Sequence, residues 1–309
     1  MVAPSLSKYT STLMIGGLFS LIIVPVGLCS GVVFTIQSIF PSFPVQYLTY
    51  FGYTFSAIYT VQILLLDKSH LHPFPLDQCQ GPRSWLEQKA YAFWMEHFSY
   101  FPMTVVANEQ KVKLPADKQY IFAVHPHGIH CWPLNCLCFP SSPFDKKFPG
   151  LVGKKLTGLA ATVVFKIPVV RELFLSMGYI DAGRENAANA LDAGRSLFIC
   201  TGGEDEAMRS RQGEDTVVLL NRKGFVRLAL SYGCALVPVF GVGVNDLYKT
   251  YDLGTLRMRQ KLQKSTGVAL PIFHGVFGTY FTTIIFVLTL NIHLCCIFDI
   301  DDLMCITNY

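Results

Sequence analysis

The chain has 309 residues and a mass of 34.5 kDa, room for one sizeable domain with appendages. Half of it is hydrophobic (51%), only 15% is charged and the mean hydropathy is +0.38, which excludes a disordered chain or a fibrous repeat. The formal net charge of +4 comes with no long basic run, so the composition disfavours a nucleic-acid partner and favours a membrane.

The hydrophobicity is concentrated at the start. Between Lys8 and Asp67 there is no Asp, Glu, Lys or Arg. Leu13 to Ile36 is long enough to cross about 30 Å of hydrocarbon at about 1.5 Å per residue, and Val45 to Leu66 is comparable. Joined by the short turn Pro41-Ser42-Phe43-Pro44, the two stretches read as a helical hairpin in the bilayer with both ends on one side, kinked at Pro25. A cleaved secretory signal would have a shorter apolar core, a basic start and a small-residue cleavage site. Lys8, Lys68 and Arg83 flank the hairpin, and the positive-inside rule puts the bulk of the chain in the cytosol. The ten cysteines form no Cys-x-x-Cys pair and several lie within apolar runs, which reads as reduced cytosolic thiols. The lack of any Asn-x-Ser/Thr acceptor fits that side of the membrane.

From Trp85 to Gly275 strand-length apolar runs alternate with helix-length polar stretches. Tyr120 to Val124 reads as a strand ending at His125, Ser196 to Cys200 as a second ending at Thr201-Gly202-Gly203, and Ala235 to Phe240 as a third. Glu185 to Ala193 and Lys223 to Ser231 read as helices, the latter stopping at Gly233. This rhythm predicts an α/β domain built on a mostly parallel sheet flanked by helices, with function gathered where strands end.

His125-Pro126-His127-Gly128 sits at one such end. Imidazole titrates near neutral pH and can take a proton from an alcohol. On the tetrapeptide alone, a histidine that merely caps the strand is an equal reading. His125, His127, His130 and Cys131 also admit a zinc reading, although no second ligand pair at a suitable spacing completes it. Thr201-Gly202-Gly203-Glu204-Asp205-Glu206 combines glycines that permit close backbone approach with carboxylates that can orient a histidine. Gly178 to Arg184 and Asn221 to Arg227 place cations at helix starts, where phosphates are held, or simply on the surface.

Taken together, these blocks resemble the type 2 diacylglycerol acyltransferase family, which includes monoacylglycerol acyltransferases and wax synthases. The resemblance is carried by Tyr100-Phe101-Pro102, YIFAVHPHG ending at Gly128, FPG at Phe148 to Gly150, and GGEDEA at Gly202 to Ala207. It continues through NRKGFVRLAL at Asn221 to Leu230, LVPVFGVGVNDLY at Leu236 to Tyr248 and LPIFHG at Leu270 to Gly275. It implies a membrane-bound enzyme that moves a fatty acyl group from acyl-CoA, a co-substrate, to a hydroxyl of diacylglycerol, with no cofactor and no metal. Monoacylglycerol and long-chain alcohols are the alternative acceptors, and the implied location is the endoplasmic reticulum membrane and the lipid droplet. His127 aligns with the catalytic histidine of the wider glycerolipid acyltransferases, with His125 beside it. Those enzymes place an Asp five residues after that histidine, where this chain has Trp132; Glu206, which matches the family glutamate, is expected to take over orientation. The family blocks further imply substrate contacts at Gly128, Arg184, Gly202, Gly203, Asn221, Arg222, Lys223, Gly224, Phe225, Arg227 and Pro238.

The expected organisation is a membrane hairpin over residues 1–70, the acyltransferase domain over 71–275 and a divergent tail over 276–309. That tail carries no Asp, Glu, Lys or Arg from Val276 to Phe298, and reads either as a third membrane segment or as foreign sequence, for example from an unspliced transcript. A metal-dependent membrane hydrolase and a truncated, non-catalytic membrane adaptor are the readings from other functional classes.

Overall fold

The computed structural model describes residues 45–62, 66–71, 105–107, 113–129, 131, 142–152, 156–167, 170–266, 269 and 271–274. The first arm of the expected hairpin, the tail 276–309, Tyr100 to Pro102, His130 and Trp132 lie outside them. In the second arm the helix runs Val45–Val61 (α1), 17 residues or about 25 Å at 1.5 Å per residue. Among the described residues no helix is long and apolar enough to cross a membrane. Tyr50, Tyr53, Phe55, Ile58 and Val61 of α1 are exposed.

The centre of the molecule is a five-stranded sheet in the order β3-β2-β4-β1-β5, formed by β1 (Tyr120–His125), β2 (Leu156–Ala160), β3 (Tyr179–Asp181), β4 (Ser196–Cys200) and β5 (Ala235–Phe240). Every neighbouring pair is parallel. The parallel expectation therefore holds, and strands β4 and β5 coincide with the runs read from sequence. β1 is buried along its whole length, as a central parallel strand must be when helices cover both faces. Its alternate side chains divide between two cores. Tyr120, Phe122 and Val124 pack with Phe144, Phe165, Phe198 and Val237, whereas Ile121 and Ala123 pack with Ala187, Ala190, Leu191 and Ala229. Phe122 meets the edge of Phe144 with ring centroids 5.4 Å apart, a favoured aromatic geometry.

The second core is roofed by α4 (Arg184–Asp192) and α6 (Gly224–Tyr232). α4 turns Ala187, Ala190 and Leu191 inward at helical spacing and α6 turns Ala229 inward, and the alanines let both helices lie close to the sheet. Short helices α2 (Pro143–Lys147) and α3 (Val170–Ser176) complete the described layers together with α5 (Gly203–Arg209), α7 (Leu256–Thr266) and the antiparallel pair β6 (Lys249–Thr250) and β7 (Phe273–His274). Pro238 lies in β5, which is flanked only by β1 among the described residues, and such an edge is where a strand tolerates a residue that cannot donate to the ladder.

The chain that follows α1 is tied to this body by Arg171, which is 2% exposed. Its guanidinium donates to Ser69 Oγ at 2.7 Å, pairs with Asp67 Oδ1 at 2.9 Å and with Glu172 Oε1 at 2.9 Å. Tyr59 of α1 donates to the same Glu172 oxygen at 2.6 Å.

Composition favours reduced thiols; among the described residues, the structure brings the sulfurs of Cys131 and Cys200 together and leaves Cys234 free and buried. Parallel pairing of β1 with β4, in which Val124 faces Cys200, brings the two cysteines together across 69 residues of sequence, a proximity that spacing alone cannot reveal.

The β2–β3 pairing generates a stability prediction. Gly158 lies opposite Tyr179, and a Cβ at Gly158 would stand 2.3 Å from Cε1 of that ring. Gly158→Ala is expected to cost about 1–3 kcal/mol through overpacking, measured as a lowered Tm of the purified protein; an unchanged Tm would mean that the ring yields freely.

Candidate active site

The carboxyl ends of β1 and β4 lie side by side, and the loops leaving them build a cluster around one carboxylate. Glu206, in the first turn of α5, is 1% exposed. Its Oε2 accepts the backbone N–H of His127 at 2.7 Å and its Oε1 accepts the backbone N–H of Val218 at 2.9 Å. The same Oε1 stands 3.5 Å from Nδ1 of His125. A buried carboxylate without such donors would be strongly unfavourable, so these bonds are what permit it to sit there.

The approach is close enough to dictate a glycine. A Cβ at Gly202 would fall 2.2 Å from Glu206 Oε2, so any side chain at 202 would drive the carboxylate off its donors. Gly203 then starts α5. The two neighbouring acids turn elsewhere: Asp205 Oδ1 accepts from Gln260 at 2.9 Å and from Arg209 at 3.2 Å, and Glu204 Oε2 accepts from Gln263 at 3.0 Å. Of the three consecutive carboxylates, only Glu206 meets the histidine loop.

The two histidines differ in their surroundings. His125 is 8% exposed, and its ring contacts the Thr201 hydroxyl through Nε2 as well as approaching Glu206 through Nδ1. His127 is half-buried, with Nδ1 3.0 Å from the carbonyl oxygen of Gly128. A carbonyl oxygen only accepts, so this contact places the proton of a neutral imidazole on Nδ1 and leaves Nε2 with a free lone pair. Burial pushes the His127 pKa below its ordinary 6.5, opposed by the Gly128 carbonyl and by the charges of Glu206 and Glu204. The ring is therefore neutral at pH 7 and able to accept a proton.

Gly128 does not leave open space. A Cβ there would lie 2.6 Å from Val244 Cγ1, so the glycine allows the loop to pass beneath Val244. The loop after β5 supplies a further polar link, with the Ser210 hydroxyl donating to Asn245 Oδ1 at 2.7 Å and Asn245 Nδ2 to the Glu214 carbonyl at 2.7 Å. Sequence reasoning assigns no role to Thr201, Val218, Ser210 or Asn245. Thr201 was findable, since it directly follows β4; the others act through main-chain groups or through contacts 31 to 35 residues apart.

The cationic blocks stand apart from this cluster. Arg184 opens α4, and Asn221, Arg222 and Lys223 immediately precede α6; all four are exposed, as are Gly224 and Arg227. Phe225 packs against the second core. Among the described residues no hydrogen bond or ion pair connects these cations to either histidine. No group of three or more His, Cys, Asp or Glu side chains among the described residues is arranged to hold a metal ion, and His130, the third member of the zinc reading, lies outside them.

Comparison with known proteins assigns the family. The family model described as diacylglycerol acyltransferase matches residues 54–292. Diacylglycerol O-acyltransferase 2 of Xenopus laevis is 36% identical over 62% of this chain and 53% of that protein. 2-Acylglycerol O-acyltransferase 1 of Mus musculus is 34% identical over 65% of this chain and 62% of that protein. The chain thus spans between half and two thirds of the length of these relatives. Among solved structures, the 1-acyl-sn-glycerophosphate acyltransferase PlsC of Thermotoga maritima aligns with 62% of this chain and 73% of that one at 18% identity and a TM-score of 0.36. The family match runs through the loops after β1 and β4 that meet at Glu206, and the chain belongs to the diacylglycerol acyltransferase family.

Proposed function

We propose that this chain transfers a fatty acyl group from acyl-CoA to the free hydroxyl of diacylglycerol at a membrane surface, with His127 as general base. The observation that carries the assignment is the Nδ1 contact of a neutral, half-buried His127 with the Gly128 carbonyl, which presents Nε2 as the acceptor. Nε2 takes the proton of the lipid hydroxyl as its oxygen attacks the thioester carbonyl carbon. When the tetrahedral intermediate collapses, the carbon–sulfur bond breaks and the proton passes from Nε2 to the departing thiolate, so base and acid are the same ring. Glu206 acts as a positioning residue: it holds the main chain of His127 rather than its ring, and its second oxygen lies toward His125. His125, with Thr201, forms the buried support of that loop.

The exposed cations Arg184, Arg222, Lys223 and Arg227 are proposed to steer the polyanionic donor, a role that needs no fixed contact. The exposed apolar face of α1 supports a membrane-embedded hairpin over residues 1–70 ahead of an acyltransferase domain over 71–275, facing the cytosol at the endoplasmic reticulum or lipid droplet. Monoacylglycerol is the second acceptor reading, favoured by the similarity to 2-acylglycerol O-acyltransferase 1.

Membranes containing the chain, incubated with labelled acyl-CoA and a panel of diacylglycerol, monoacylglycerol and fatty alcohol, are expected to label triacylglycerol most strongly; label in none of the products would overturn the assignment. His127→Ala should lower kcat by about 10²–10⁴. In Glu206→Gln the amide nitrogen must face one of the two backbone N–H donors, which is expected to cost about 1–3 kcal/mol of stability and to lower kcat with little change in the KM for acyl-CoA. An unmodified kcat in Glu206→Gln would remove Glu206 from the reaction. Because the His127 pKa lies below 6.5, kcat should be level at neutral pH and fall as the pH drops through that lowered value; an acid limb centred above 6.5 would contradict His127 as the base.

A further inference from the structure

A cavity of about 190 Å³ lies beyond the candidate site, between α5, α7 and the β6–β7 pair. A single ordered water needs only roughly 10–15 Å³. Its wall begins at Ile129, two residues after His127, and at Ala207 and Ser210, adjacent to and one turn beyond Glu206. The cavity is bounded by three arginines, Arg209, Arg211 and Arg259, against two acids, Glu214 and Asp252.

Their environments separate one buried charge from two exposed, ion-paired ones. Arg209 and Arg211 are exposed; Arg209 pairs with Asp205 at 3.2 Å and Arg211 with Asp252 at 3.0 Å. Arg259 is 6% exposed and its Nε donates to Thr255 Oγ1 at 3.2 Å. Burial pushes the Arg259 pKa down while Asp252 works in the opposite direction, and a guanidinium remains charged throughout the physiological range. The frame around it is braced, because Gln260 and Gln263 of α7 donate to Asp205 and Glu204 of α5. A planar, multiply donating cation held beside a water-sized or larger space is suited to the oxygens of a phosphate.

We propose that this cavity is a binding site for a phosphate group, held by Arg259 with Arg211 at its rim, and that the phosphate is one carried by the acyl-CoA donor. Its identity as a donor phosphate rests on the acyltransferase reading above; the presence of a phosphate site does not. The exposed cations near α4 and α6 would then gather the donor, and this cavity would hold its anionic end.

The test uses the purified chain in detergent. Binding of 3′,5′-adenosine bisphosphate and of inorganic phosphate is measured for the unmodified chain, Arg259→Gln and Arg211→Gln, the last being an exposed position expected to leave the fold intact. Removing a charge-assisted contact should weaken binding roughly tenfold. In parallel, the KM for palmitoyl-CoA is compared with that for its analogue lacking the 3′-phosphate. The expected result is a higher KM for the analogue with the unmodified chain and the loss of this preference in both variants. If the variants instead lose binding only to phosphatidylcholine vesicles that contain phosphatidate, the phosphate site stands and the donor assignment is overturned in favour of a lipid headgroup. Equal binding of every phosphate probe by all three proteins would overturn the site itself. An unmodified chain that binds the probes but transfers no acyl group would overturn the enzymatic reading and leave the cavity assignment standing.

Discussion

A carboxylate almost without solvent contact organises the candidate site. Glu206 can be buried where it lies because two main-chain N–H groups, from His127 and Val218, point at it and a histidine ring stands beside it. The requirement works in both directions. The carboxylate needs those donors, and the donors belong to two separate segments, the loop after β1 and the stretch after α5, which are thereby held to the helix that follows β4. Gly202 is part of the same constraint, since the space that a side chain would take is already filled by the carboxylate. The orientation of His127 is thus inherited from a backbone clamp and not from an acid bonded to its ring. That arrangement is coherent with a chain that has Trp132 where the wider acyltransferases have their orienting Asp.

The acidic block shows how three adjacent like charges are reconciled. Placed together on one surface they would repel, yet each is directed to a different partner: Glu204 and Asp205 to amides of α7, Glu206 to the main chain around the histidines. Helix geometry makes this possible, because consecutive residues project about a third of a turn apart. All three also lie in the first turn of α5, where negative charge is favoured by the unpaired amides. The same block therefore braces α5 against α7 with two members and clamps the loop after β1 with the third.

Much of the sheet was legible. β4 and β5 were bounded to the residue and β1 to within one, because buried parallel strands read as short unbroken apolar runs ending at Gly or His. The helices α4 and α6 were placed to within one residue at either end, the latter marked by its stop at Gly233. β2 and β3 were not drawn from sequence; β3 has only three residues, too few for any periodicity. In the site, the resemblance led to the expectation that Glu206 orients the His127 ring; in the geometry Glu206 accepts the His127 backbone N–H instead, and its other oxygen stands 3.5 Å from Nδ1 of His125. What no pattern could reveal were the contacts made by backbone N–H groups, which carry no side-chain signature, and the Cys131–Cys200 link, which exists because of strand order. Arg259 was equally invisible, since only tertiary packing buries one of the cations of α7.

The attachment of α1 has a geometric consequence for the proposed membrane enzyme. Arg171 fixes Asp67 and Ser69 beside α3, and the turn Ser69–Leu71 packs against β3, at the opposite edge of the described sheet from β5. β3 and β1 are three strand spacings apart in the sheet order, or about 14 Å at about 4.8 Å per strand. A buried ionic tether is costly to form unless its charges are matched, and here one guanidinium is met by two carboxylates and a hydroxyl, so the junction has a defined geometry. In the proposed enzyme the apolar face of α1 would therefore be held at a set distance from His127 and not swing on a loose linker. An acceptor that is nearly insoluble in water needs such an arrangement. Its hydroxyl has to reach Nε2 while its acyl chains stay in the bilayer, and a fixed offset between anchor and base makes that reach a property of the fold.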